Sequence, residues 1–268
     1  KVQEWLPFRS EFLDELLLFE GCEDSVEDGA VFCTACQSPG ATLRCTDCFT
    51  RDLLYCKDCI VQRHEADLPL HRIEEWEGEH FVRRTLRDLG AVVQLGHKDH
   101  VCKAPSEDTR RVVVADVKGV QAVEVRFCEC FDTSGDFIRE WTQLLRRGWF
   151  PATTNRPATA FTFQLLDTFQ ELNFQGKTNL YDFWKTIERL TDNSGAHTFN
   201  RYQQMSHVVR LWRHLTMLKR FGRGHDPDGP DKTKVGDLAL ECAACPHPGK
   251  NLPDGWADAP PDVRYGLS

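Results

Sequence analysis

Between residues 33 and 71 the chain reads Cys33-x2-Cys36-x8-Cys45-x2-Cys48-x7-Cys56-x2-Cys59-x4-His64-x6-His71. No other stretch restricts the fold as strongly. A tetrahedral zinc ion takes four Cys or His ligands, and two closely spaced pairs supply them from neighbouring turns. Four such pairs imply two zinc ions. The wiring is either sequential or interleaved. The loops between Cys36 and Cys45 and between Cys48 and Cys56 suit short β-hairpins, which favours interleaving. In that arrangement Cys33, Cys36, Cys56 and Cys59 hold one ion, and Cys45, Cys48, His64 and His71 hold the other. A unit this short buries too little apolar surface to fold unaided, whereas a structural zinc contributes an apparent binding energy of about 10 to 16 kcal/mol at neutral pH. Sites with four protein ligands are closed, and closed sites are structural, not catalytic.

The order of six cysteines followed by two histidines resembles a B-box-type finger. It departs from a RING, whose last pair is usually two cysteines. With twelve cysteines in 268 residues, disulfides are the competing interpretation. The CxxC pairs, the histidines and the absence of an apolar leader in Lys1-Val2-Gln3-Glu4-Trp5 favour reduced thiols on metal, hence a reducing intracellular compartment. No apolar run approaches membrane-spanning length. A net charge of −8 argues against a surface that binds nucleic acid everywhere, while leaving room for a local basic face. The non-Met start suggests a fragment or a processed product.

Taken in order, residues 1–30 are expected to form an amphipathic helix over 10–20 and an acidic linker. Ser10 serves as the cap, Gly21 as the stop, and Phe12, Leu13, Leu16, Leu17 and Phe19 as a stripe packed on the body. Residues 31–76 form the double zinc module, in a cross-brace. Residues 77–130 form a β-rich unit, with strands at 81–85 and 91–95 and a hairpin of 111–117 with 120–127 around Lys118-Gly119. That hairpin delivers Cys128 and Cys130 towards His97 and Cys102, a third set of zinc ligands in which His100 is an alternative to His97.

From 131 to 224 the pattern is helical. Stripes start at Phe137, Phe161, Leu180 and Tyr202, and Pro151 and Pro157 bracket a loop. They predict a helical bundle, so the fold class is α+β: a B-box-like zinc module and a β-hairpin zinc unit packed against that bundle. The last stripe also carries Arg201, Arg210, Arg213, Lys219, Arg220 and Arg223, with no acidic residue among them. Such a stripe is either a solvated face or a surface for phosphates. In the C-terminal segment, 225–268, Cys242-x2-Cys245 is either the start of a fourth zinc site, with His247 or His225, or a half-site that needs ligands from a downstream segment, or a plain turn.

A series of ordered motifs resembles the cysteine-cluster region, of the second CxC-like type, that precedes the catalytic domain in fungal KDZ (Kyakuja–Dileera–Zisupton) transposases. It runs over about residues 10 to 260 through LPLHRIEEW (68–76), Leu95 to His97 with Cys102, FCEC (127–130), WFPAT (149–153), Tyr181 to Trp184, LTDN (190–193), WRHL (212–215), GRGH (222–225) and CAACPHPGKNLPDGW (242–256). The resemblance implies a nuclear DNA-transposition protein whose carboxylate-bearing, RNase H-like catalytic domain would follow residue 268. This chain would then be the non-catalytic front. It would bind DNA, in particular transposon ends, or organise the assembly by self-association. The competing interpretation is a protein-interaction platform, since Asp58, Glu65, Asp67, Glu74, Glu75, Glu77 and Glu79 crowd the end of the zinc module and would repel phosphate. An enzyme in its own right is disfavoured: no glycine-rich phosphate loop, HExxH or nucleophile elbow is present. No small-molecule substrate or membrane partner is expected.

Overall fold

The computed structural model describes residues 2–22, 26–27, 30–97, 102–195, 199–243, 245–247, 250–252 and 254–261. It divides into two units, Lys1–Leu211 and Trp212–Ser268.

The first unit begins with α1 (Val2–Trp5) and α2 (Arg9–Leu18). Strands β1 (Val26–Glu27) and β2 (Ala30–Val31) form a short antiparallel pair. Next come β3 (Leu43–Cys45), α3 (Lys57–His64), β4 (Ile73–Trp76) and β5 (Phe81–Arg84). The three strands form an antiparallel sheet in sequence order. Ile60 of α3 packs into a small core with Leu43, Leu54, Tyr55 and Ile73, all buried. Arg44 on β3 pairs with Glu74 (2.7 Å) and lies over the Phe81 ring, and Arg84 pairs with both Glu75 and Glu77. Three of the acidic residues expected to repel phosphate are therefore paired.

A second core is built on five strands: β6 (Val92–Gln94), β7 (Arg110–Asp116), β8 (Gly119–Arg126), β9 (Trp149–Pro151) and β10 (Thr159–Thr162). Their order is β6-β8-β7-β10-β9. The hairpin β7–β8 closes with Asp116 opposite Gly119, as the valine-rich runs predict. Gly119 has φ +134°, and a Cβ there would sit 3.0 Å from the Thr191 hydroxyl. Strand β6 is parallel to β8, and β10 is parallel to β7. Val112, Val114, Val123, Val125 and Ala160 share one face with Leu144 of α4 (Glu140–Arg146) and with Trp149. Side chains alternate along a strand, so Phe161 takes the opposite face, where its ring meets Trp184 edge-on. Trp184 belongs to α6 (Leu180–Thr191), which packs on β8 and on α5 (Phe163–Gly176). With both faces covered, the middle of the sheet is buried at successive positions, Val112 to Ala115 of β7 and all of β10.

Caps begin α5 and α6. The Thr162 hydroxyl accepts from the Leu165 amide (3.1 Å), and Asn179 Oδ1 accepts from the Asp182 amide (2.9 Å). At its C-terminal end α6 is joined to both sheets. The Thr191 hydroxyl accepts from the Val120 amide (2.7 Å), while Arg83 of β5 donates to the carbonyls of Leu190 and Thr191. The LTDN stretch is thus a structural junction.

Three expectations are corrected. Residues 149–151 and 159–162 are strands, so the large sheet crosses position 131 and the region beyond it is not a plain helical bundle. Four residues that are all buried show no period-two alternation, and the following helix made Phe161 look helical. Helix α2 starts at Arg9, so Ser10 lies inside it and caps nothing. Phe12, Leu13, Leu16 and Leu17 are exposed, because apolar side chains spread round this helix instead of forming one stripe.

Helix α7 (Tyr202–Arg220) carries the chain from the first unit into the second, with Met205, Val208 and Val209 buried. The second unit continues in turns and two short 3-10 helices, Pro230–Lys232 and Trp256–Asp258. Among the described residues no helix is long and apolar enough to cross a membrane.

Candidate metal centres

The structure brings twelve of the fourteen candidate ligands together in three groups of four, with the ligand atoms of each group within 4.8 Å of one another. In the first group the turn after β2 presents Cys33 and Cys36, and the start of α3 presents Cys56 and Cys59. The turn is tight: the Cys33 amide donates to Ser38, the Gln37 amide donates to Cys33 (2.8 Å each), and Gln37 takes a left-handed φ of 60°. The second group gathers Cys45 at the end of β3, Cys48, His64 at the end of α3, and His71. The first and third pairs in the sequence converge, as do the second and fourth. The third group is His97, Cys102, Cys128 and Cys130, two of them delivered by the exit of β8. His100 lies outside the described residues.

The spacings fit zinc. A tetrahedron with Zn–S bonds of about 2.3 Å and Zn–N bonds of about 2.0–2.1 Å has S···S edges of about 3.8 Å and S···N edges of about 3.5 Å. Cys36 and Cys56 sulfurs are 3.7 Å apart, as are those of Cys102 and Cys130. Cys48 Sγ lies 3.3 Å from His64 Nε2 and 3.5 Å from His71 Nδ1, Cys45 Sγ lies 3.4 Å from His71 Nδ1, and Cys128 Sγ lies 3.5 Å from His97 Nε2. The three Cys/His clusters are consistent with zinc.

Protonation points the same way. Burial opposes ionisation of Cys33, but hydrogen bonds from the backbone of Cys56, Cys36 and Ala35 outweigh it and bring the thiol down to about 6. Cys59 is pushed up to about 12 by hydrogen bonds with the Cys56 and Cys36 thiols. Burial is the main cause that pushes Cys45 and Cys128 up to about 12. Crowded thiols cannot all ionise without a cation, and a dication releases their protons. Burial lowers His64 and His71 below the ordinary 6.5, which keeps both neutral as ligands must be. A depressed folded-state value means that the unfolded chain binds protons first. Stability present above pH 6.5 should therefore decline as pH falls through that value, a trend that urea midpoints measured from pH 8 to 5 will show.

Supporting residues hold the ligands in place, as outer-shell groups do at metal sites. His64 Nδ1 donates to the Ile60 carbonyl (2.8 Å), which turns Nε2 to Cys48. Asp47, inside the Cys45–Cys48 turn and nearly buried, accepts from the Arg72 amide (2.8 Å) and guanidinium and pairs with Lys118. It thereby fixes the residue after His71. At the third group the fully buried Gln143 accepts from the Cys128 amide (2.8 Å) and donates to the carbonyls of Cys128 (2.9 Å) and Ile138 (2.8 Å). Gly96, with φ +116°, lets His97 approach: a Cβ there would lie 2.3 Å from Cys128 Cβ. Sequence reasoning missed Asp47, Arg72 and Gln143. The one available signal was a polar Gln143 on the apolar side of a helix.

Residues 86–195 match the family model of the CxC2-like cysteine cluster associated with KDZ transposases. The match contains the whole third group and ends just beyond the Thr191 junction, whereas the first two groups lie before it. The family is described as a cysteine cluster associated with the transposase, not as its catalytic domain. No curated protein and no solved structure matches significantly.

The remaining candidates are placed less uniformly. Cys242 and Cys245 are exposed, and no third ligand joins them among the described residues. His247 directs Nε2 to the Cys242 carbonyl (2.8 Å). Of the basic residues, Arg201 bonds the Thr159 hydroxyl (3.2 Å), and Arg223 pairs with Asp226 and Asp237. Arg210, Arg213, Lys219 and Arg220 are exposed on α7.

Proposed function

We propose that this chain is a zinc-stabilised, non-catalytic region of a KDZ-type transposase that binds DNA or organises the transposase on it. The observation that carries this reading is the CxC2 match with a complete group of one histidine and three cysteines inside it. The first two groups are then a B-box-like cross-brace, in which each ion locks the loop that supplies the other. Four-residue donor sets leave no position for an activated water, which favours a structural role over hydrolysis. The DNA surface is α7, where Arg210, Arg213, Lys219 and Arg220 are exposed and no acidic residue interrupts 201–223. Arg201 and Arg223 contribute less, since both are half-buried. A nuclear location goes with this reading, and imaging of the tagged chain tests it.

Phosphate contacts release counterions, so log affinity falls with log salt by about 0.9 per contact. Binding of the zinc-loaded chain to duplex DNA, followed by fluorescence anisotropy across a salt series, should show such a slope. The double variant R213E/R220E should bind more weakly and with a shallower slope. Unchanged affinity removes α7 from the interface. The second reading is a protein-interaction platform. It is favoured by the exposed apolar side chains of the N-terminal helices, including Trp5, Leu6, Leu13 and Leu16, and by exposed Asp58, Asp67 and Glu79. Absence of DNA binding at low salt with the fold intact selects it.

A further inference from the structure

Beside the third group of ligands the surface opens into a cleft of about 560 Å3, lined in part by Cys128. Its outer wall is a short turn that follows Cys130. The Ile138 amide donates to the Cys130 carbonyl (3.1 Å), and the Asp132 amide donates to the Asp136 carbonyl (2.7 Å). Between these bonds Phe131 and Phe137 face each other as an antiparallel bridge. Their rings are stacked with centroids 4.4 Å apart, yet they are 62% and 61% exposed. Phenylalanine is ordinarily among the best-buried side chains. Phe131 covers one face of Phe137, so the other face is the one left open, and Phe137 lines the cleft.

A second ring in the same cleft is already in use. Arg110 of β7 lies with its guanidinium 4.3 Å from the centre of the Phe127 ring and pairs with Glu140 of α4 (2.7 Å). Ring and carboxylate hold that cation together, since the face of an aromatic ring is negative and the carboxylate meets the remaining charge. Phe137 offers a further ring, and Asp108 and Glu129 offer further carboxylates, neither of which has a hydrogen bond or a cationic partner among the described residues. Arg156, exposed, is the other cation of the lining, and the two unpaired carboxylates outnumber it. Asp132 and Asp136, exposed on the aromatic turn, add to the negative excess. A phosphate would be repelled here and a cation attracted. We infer that this cleft binds an arginine side chain of a basic peptide, with the guanidinium over Phe137 and its charge met by Asp108 and Glu129. The cavity falls within the range of about 300–1,000 Å3 typical of ligand sites, which leaves room for the backbone on either side of that arginine. The inference goes beyond the proposed function, because a peptide partner engages this cleft whether or not α7 holds DNA.

The test titrates the zinc-loaded full chain, at low salt, into a fluorescein-labelled octapeptide of alternating arginine and glycine, followed by anisotropy. The chain carries a net charge of −8, so general attraction has to be separated from the cleft. Two double variants with the same change of charge do this: D108N/E129Q inside the cleft, and D58N/E79Q at exposed positions of the zinc module. Zinc content and circular dichroism check that each variant is folded. The peptide should bind, D108N/E129Q should weaken it about tenfold, the sum of two modest surface ion pairs, and D58N/E79Q should leave it unchanged. F137L keeps an apolar side chain but removes the ring face, and should cost about two- to fivefold in affinity. R156Q removes the competing cation and should tighten binding. No binding by the folded, zinc-loaded chain overturns the inference. Equal weakening in the two double variants overturns it too, because net charge alone then attracts the peptide. So does an F137L variant with unchanged affinity. Weaker binding by R156Q, or a single-stranded oligothymidylate that binds in place of the peptide and is lost in F137L, overturns it as well, because the cleft then takes a nucleotide.

Discussion

Replacing His64 with Ala should unfold the first core while the five-stranded sheet persists. His64 is fully buried at the end of α3 and faces Cys48 with one ring nitrogen while the other is bonded to Ile60. Without it the second group has three donors and a cavity beneath the helix. The apparent energy of a structural zinc is about 10 to 16 kcal/mol, more than the small core of Leu43, Leu54, Tyr55, Ile60 and Ile73 can replace. Hydrogen exchange reads the outcome by residue. The Leu43 and Tyr55 amides, which bond each other's carbonyls (3.1 and 2.8 Å), should exchange as in an unfolded chain. Amides of the β7–β8 ladder should stay protected. Stripping metal from the unaltered chain should reproduce the pattern in the first core. Unchanged protection at Leu43 and Tyr55 would show that the core stands without its ligands. Loss in both regions would show that the cores fold as one cooperative unit.

Gly96→Ala should be the most damaging single-methyl change at the third group. The new Cβ meets Cys128 Cβ at 2.3 Å, and the backbone there holds φ +116°, a conformation that L side chains rarely adopt. Displacing Cys128 also disturbs its two hydrogen bonds with Gln143. Such a clash with a backbone penalty costs about 4 kcal/mol or more. Gly135→Ala is the matched control: φ is +83° there, but nothing lies within 4 Å of the added atom, so only the backbone penalty of about 1 kcal/mol remains. Denaturant midpoints should separate the two variants clearly, and only Gly96→Ala should lose zinc. Equal shifts would mean that the close approach at Cys128 is not a constraint.

The sequence was most informative where the information is local. A CxxC pair fits one turn whatever surrounds it, so the close pairs were legible in the sequence, whereas which pairs converge, and that His97 and Cys102 lie beside Cys128 and Cys130, is seen only in the structure. The valine runs around Lys118-Gly119 likewise specified a hairpin, because a two-residue turn leaves little choice of partner. Strands β9 and β10 escaped notice for the opposite reason. Their pairing with each other and with β7 joins residues far apart in the chain, and burial on both faces erases the alternation that marks a strand. The exposure of the apolar side chains of α2 could not be foreseen either, since a run of apolar residues states a preference without saying whether a surface is present to meet it.

By itself, then, the sequence determined the ligand chemistry, the number of close pairs, the hairpin and the α+β class. All of these follow from contacts between neighbours or from the demands of one ion. Tertiary structure alone decided that one mixed sheet runs through residues 92–162 and that Asp47 and Gln143 hold the ligands in place. These arrangements depend on which distant segments the packing of two cores brings into register, and no spacing in the chain encodes that.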